Sequence, residues 1–94
     1  MPKLTVRQTA QFKRDLKKAR KQGKEMAAMD KAVSLLQNRE PLPPKFKDHA
    51  LTGDWKGYRE CHVSPDWLLV YLVEDDVLVL TLTRTGSHAE IFGK

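Results

Sequence analysis

At 94 residues the chain forms one domain, 1–94, with no room for a second core; a globule of this size buries somewhat over ~60% of the surface that its unfolded form exposes. A hydrophobic content of 40% and a charged content of 31% suit an ordinary soluble domain, and no apolar run approaches a membrane span or a signal-peptide core, so a cytoplasmic protein without a membrane partner is expected. The net charge of +5 conceals an asymmetry, with 13 Lys/Arg against 4 Asp/Glu in residues 1–47 and 4 against 8 in residues 48–94. Such a chain is attracted to a polyanion by one half and can act on it with the other.

Residues 3–6 alternate briefly and predict an edge or second strand. Thr9 stands at a helix N-cap position, Phe12, Leu16 and Ala19 follow at helical spacing, and Gly23 lies just past the end, which predicts a helix over 10–22. Its cations, Lys17, Lys18 and Lys21 among them, face outward as a contact for RNA; the alternative is a solvated helix face. Met26, Met29, Val33 and Leu36 predict a second amphipathic helix over 25–38, antiparallel to the first, with the methionines in the core. Pro41, Pro43 and Pro44 then stop helical structure, and 39–57 reads as a long loop, a length that usually goes with function or mobility. Period-two alternation predicts strands over 58–63, 67–73 and 77–84, joined by Ser64-Pro65-Asp66 and Glu74-Asp75-Asp76. Cys61, the one cysteine, allows no internal disulfide or cysteine-based zinc site and is expected in the core. The last ten residues lack strand character, and 88–92 can form a short turn of helix. The order β-α-α-β-β-β predicts an α+β fold: a four-stranded antiparallel sheet, covered on one face by the N-terminal helix hairpin and open to a ligand on the other.

All three histidines, His49, His62 and His88, lie among turn signals in the second half, with Asp66 and Arg84 between them. If residues 74–76 form a three-residue loop, Val73 faces Val77 and Asp66 faces Arg84. If residues 64–66 do the same, His62 faces Leu68. His62, Asp66, Trp67 and Arg84 then share one end of the sheet, and His88 follows four residues after Arg84. An acid, a base and a cation so placed can touch one phosphate together. The bland alternatives are idle surface histidines, a turn aspartate, an Arg84–Asp66 pair and a Trp67 that anchors the core. The spacings between the histidines match no short metal-ligand motif, and no metal is expected.

These fragments resemble the YafQ-type branch of the RelE-like bacterial toxins of type II toxin-antitoxin systems. The resemblance rests on Phe12-Lys13-Arg14-Asp15, Pro41-Leu42-Pro43, Lys47-Asp48-His49-Ala50-Leu51, Gly53-Asp54-Trp55-Lys56-Gly57-Tyr58-Arg59, His62-Val63-Ser64-Pro65-Asp66-Trp67, Arg84-Thr85-Gly86-Ser87-His88 and Phe92-Gly93, in order along nearly the whole chain. It implies a RelE-like fold, a ribosome-dependent mRNA endonuclease and a catalytic set of His49, His62, Asp66, Arg84 and His88. Phe92 supports that set, and Trp67 and Lys47 join the RNA-facing residues. It also implies a cognate antitoxin, contacts with the ribosome and mRNA, and operator DNA binding by the toxin-antitoxin complex alone. RNA cleavage then needs a base for the 2′-hydroxyl, positive charge at the phosphate and an acid for the 5′-oxygen, with no metal or other cofactor because the nucleophile is internal to the substrate. Which histidine is the base stays open. The rival readings are a non-catalytic toxin on the same fold and a basic nucleic-acid-binding module.

Overall fold

The computed structural model describes residues 3–93. Strand β1 (Thr5–Gln8) leads into helix α1 (Ala10–Lys21), a tight turn and helix α2 (Met26–Gln37). The Thr9 hydroxyl accepts a hydrogen bond from the Phe12 amide at 3.0 Å and donates one to the Thr83 carbonyl at 2.9 Å, so a single N-cap starts α1 and ties it to the sheet. After α2 the chain passes through a 3-10 turn (Pro44–Phe46), the two-residue strand β2 (His49–Ala50) and a second 3-10 turn (Gly53–Trp55). Strands β3 (Arg59–Ser64), β4 (Trp67–Glu74) and β5 (Val79–Gly86) and the short helix α3 (His88–Phe92) complete it.

The sheet has five strands in the order β1-β5-β4-β3-β2 and is mixed, because β1 runs parallel to β5. The expected four-stranded antiparallel sheet is corrected in both respects. Alternation identifies a strand without giving its direction, and β2 is too short for any periodicity to reveal. Helical spans and caps follow the predicted ones to within a residue.

The β3–β4 pairing places His62 opposite Leu68, as expected. The β4–β5 pairing differs. Its turn occupies the four residues 75–78 with Leu78 in the left-handed region at φ 55°, so Glu74 faces Val79, and a bulge at Thr83 moves the register once more. Arg84 therefore lies opposite Val70, not Asp66.

Two apolar clusters flank the sheet. Phe12, Met29, Ala32, Cys61, Leu69 and Leu80 pack between the sheet and the helix hairpin. Leu68, Val70 and Ile91, with Leu51, Trp55, Tyr58 and Phe92 around them, form a smaller cluster on the opposite face. Cys61 is fully buried, and burial, followed by the nearby Asp48 and Glu60 carboxylates, pushes its thiol up to about 12. It is a packing residue. Among the described residues no helix is long and apolar enough to cross a membrane.

Candidate active site

The site is built on the face away from the helix hairpin. In β3, Cys61 and Val63 enter the helix-side core, so strand alternation turns Glu60 and His62 to the other face. The pairing of β2 with β3 sets His49 opposite Glu60, and α3 begins at His88. The Nε2 atoms of His49, His62 and His88 converge on one atom, the Glu60 Oε1, at 3.8, 3.7 and 3.8 Å. The Glu60 side chain is only 4% exposed and that of His62 18%, whereas those of His49 and His88 are about half exposed, at 51% and 53%. A carboxylate taken out of water needs compensating charge or hydrogen bonds. Here three imidazoles surround it.

Each exposed histidine is held by its own device. The His49 Nδ1 lies 2.7 Å from the Lys47 carbonyl; a carbonyl only accepts, so Nδ1 carries the hydrogen and Nε2 is left to exchange protons. That loop is fixed by Asp48, which accepts a hydrogen bond from the Tyr71 hydroxyl and another from the Arg59 Nη2 at 2.9 Å. Burial, and then the bond to Asp48, pushes the Tyr71 pKa upward. His88 is the first residue of α3, which carries a full capping box: the Glu90 amide donates to the Ser87 hydroxyl at 3.1 Å, and the Ser87 amide donates to the Glu90 carboxylate at 2.8 Å. Lys18 of α1 pairs with that carboxylate at 2.7 Å. Lys18, helped by the Ser87 amide, pulls Glu90 down to about 2. Gly86, at φ 152°, leaves the space that the box needs, since a Cβ there would stand 3.1 Å from the Glu90 Oε1. The His62 and His88 ring centres are 6.0 Å apart, and Phe92 stands 6.1 Å beyond His88 and 5.7 Å from Trp55.

Arg84 is held elsewhere. Its Nε and Nη2 donate to the two Asp15 carboxylate oxygens at 2.7 and 3.3 Å. Burial disfavours the charged Asp15, but hydrogen bonds from Arg84, Gln11 and the Thr85 amide outweigh it and keep its pKa below the usual carboxylate value. The expected Asp66–Arg84 contact is therefore absent, and Asp66 sits exposed in the turn at 65–66 with no ion pair among the described residues. Trp67 is 1% exposed and belongs to the helix-side core, so it offers no ring face to a base. Lys17 and Lys21 are exposed on α1, as expected of a solvated cationic face, while Lys18 is engaged with Glu90.

The family model described as the bacterial toxin of type II toxin-antitoxin system, YafQ, matches residues 4–93. The chain belongs to the YafQ family. The mRNA interferase toxin YafQ of Escherichia coli K12 is 44% identical over 89 residues, which make up 94% of this chain and 95% of that protein. The crystal structure of YafQ from E. coli BL21(DE3) superposes with a TM-score of 0.90 at 42% identity, covering 96% of this chain and 99% of that one. YafQ in the E. coli DinJ-YafQ toxin-antitoxin complex superposes with a TM-score of 0.88 at 42% identity, covering 97% and 99%.

In this YafQ-family chain the expected catalytic set thus divides. His49, His62 and His88 come together, Arg84 is braced against α1, and Asp66 is exposed in its turn without an ion pair among the described residues. Sequence reasoning missed Glu60, Asp48 and Asp15. Glu60 had a readable signal, because it lies two residues before His62 and therefore on the same face of a strand. Asp48 and Asp15 lie in fragments that carry the resemblance, but their roles were hidden because Tyr71 and Arg84, which they hold, are 23 and 69 residues away.

Proposed function

We propose that this chain is the toxin of a type II toxin-antitoxin pair that cleaves translated mRNA, with the histidine group as its proton-transfer machinery. The observation that carries the reading is the convergence of three imidazole Nε2 atoms on one buried carboxylate. Cleavage by the 2′-hydroxyl requires one proton to leave that oxygen and another to reach the departing 5′-oxygen. His88, braced at the start of α3, gives the second proton, and His62 or His49 takes the first. Glu60 attracts the positive charge that appears on an imidazole as it accepts a proton. Arg84 has used Nε and one Nη2 hydrogen on Asp15, which leaves Nη1 and the other Nη2 hydrogen to neutralise a phosphate. Asp15 is its positioning residue. Asp66 is given no proton-transfer role.

The ribosome supplies the orientation of mRNA that so small a protein cannot impose, and a cognate antitoxin neutralises the toxin in the cytoplasm. Operator DNA is bound by the toxin-antitoxin complex alone. A non-catalytic partner-binding module would have no use for three imidazoles around a buried acid. The test is single-turnover cleavage on programmed ribosomes by wild type and by the His62→Ala and His88→Ala variants, with ribosome and antitoxin binding measured beside it. Each variant should bind as wild type does and cleave roughly 10²- to 10⁴-fold more slowly. Cleavage at the wild-type rate by both overturns the assignment.

A further inference from the structure

Two hollows whose charged groups are of opposite sign meet at the histidine group. One is a cleft of about 530 Å³ with Lys31, Lys45, Lys47, Phe46 and Pro65 in its walls and His62 at its edge. The other is a groove of about 500 Å³ walled by Leu51, Trp55 and Phe92, with Glu60 and His88 on its inner side and Asp54 at its rim. His62 lines the first and His88 the second, and their rings are 6.0 Å apart, so a group that touches both imidazoles borders both hollows.

The cleft walls hold three ammonium groups and no carboxylate. Among the described residues none of Lys31, Lys45 and Lys47 is in an ion pair, although Lys18, Arg39, Arg59 and Arg84 all are. Two of the cations flank a buried aromatic ring. Phe46 is buried between Lys45 and Lys47, the Lys45 Nζ stands 5.7 Å from the Phe46 ring centre, and Lys47 supplies the carbonyl that orients His49. The opposite groove carries Glu60 and Asp54, which repel phosphate, beside the partly exposed rings of Trp55 and Phe92, which suit an unstacked base.

We propose that a single RNA strand crosses the histidines with its flanking phosphates in the Lys31/Lys45/Lys47 cleft and one base beside the cut in the Trp55/Phe92 groove. This rests on the ribonuclease reading above. It places the backbone contacts nearest the chemistry on α2 and the 44–47 segment, leaving the α1 cations to the wider surface.

The test is the dependence of cleavage on toxin concentration and salt, on ribosomes programmed with one mRNA, for Lys31→Ala, Lys45→Ala, Lys47→Asn and the first two combined. Asparagine is chosen at 47 because the backbone there is left-handed, φ 48°, a region that it tolerates. The Lys31→Ala/Lys45→Ala double variant, which leaves the Lys47 carbonyl at His49 untouched, should need at least tenfold more toxin for half-maximal rate, keep a saturated rate within about threefold of wild type, and lose about 0.7 of salt slope for each phosphate contact removed. Trp55→Ala should weaken preference for one base beside the cut, and Trp55→Phe, which keeps a ring, should restore it. An unchanged half-maximal concentration and salt slope in the lysine variants, with wild type active, overturns the strand path alone. A wild-type protein that cuts no mRNA on ribosomes removes the ribonuclease reading, and the path with it.

Discussion

Glu60→Gln is the most informative single change, because it removes one charge and almost no volume from the centre of the site. At the 3.7 Å that separates the Glu60 Oε1 from the His62 Nε2, a carboxylate and an imidazolium attract each other by about 4 kcal/mol at an effective permittivity of ~20. Water screens the half-exposed His49 and His88 more strongly than His62, so the enclosed pair sets the upper limit. A loss of about 4 kcal/mol from the transition state corresponds to roughly a thousandfold in rate, and solvent screening brings the expected slowing to ~10²–10³. Stability should move the other way. A carboxylate that is 4% exposed is costly to bury, and its removal should leave the melting temperature unchanged or raise it, by about 4–8 °C for each kcal/mol gained. Single-turnover cleavage and thermal unfolding measured on the same preparation check both halves. Glu60→Asp, which keeps the charge but withdraws the oxygen, should recover part of the rate. Wild-type cleavage by Glu60→Gln, or loss of its fold, would refute the reasoning.

The other predictions concern the devices that hold the histidines. Gly86→Ala forces a side chain into a left-handed position and against Glu90; it should cost about 1–3 kcal/mol and slow cleavage by displacing His88, read as a lower melting temperature with antitoxin binding kept. Asp48→Ala strips the buried Tyr71 hydroxyl of its acceptor, at a cost of about 1–3 kcal/mol, and releases the loop that carries His49; amide exchange should rise through β2. Acid should loosen the junction of α1 with α3. Lys18 and the Ser87 amide hold Glu90 down at about 2, against an ordinary value of 4.5, so its contribution is complete above about pH 4.5 and is lost as the pH falls toward 2. Lys18→Ala should shrink that loss, measured by unfolding at a series of acidic pH values.

The helix hairpin was legible because Thr9, the Phe12/Leu16 stripe and Gly23 act within a few residues of one another, and the three long strands were legible from their alternation. The sheet's fifth strand was not: two residues, His49 and Ala50, have no period. The β4–β5 register failed on one left-handed residue, Leu78, and one bulge at Thr83, neither of which apolar alternation encodes. That error moved Arg84 away from Asp66, while the histidines survived it because the β2–β3 pairing, the alternation of β3 and a capping box deliver them to the site, none of which depends on the β4–β5 register. Glu60 was the readable omission. A charged side chain on the inner face of a strand beside a histidine is a stronger signal than an exposed aspartate after proline.

The nature of the new RNA ends tests the account most directly. Cleavage by the 2′-hydroxyl, with imidazoles moving the protons, leaves a 2′,3′-cyclic phosphate or a 3′-phosphate on the upstream fragment and a 5′-hydroxyl on the downstream one. We predict these ends on mRNA cut by the purified protein on programmed ribosomes, and their disappearance with His88→Ala. A 5′-phosphate and a 3′-hydroxyl would make water the nucleophile and contradict the mechanism.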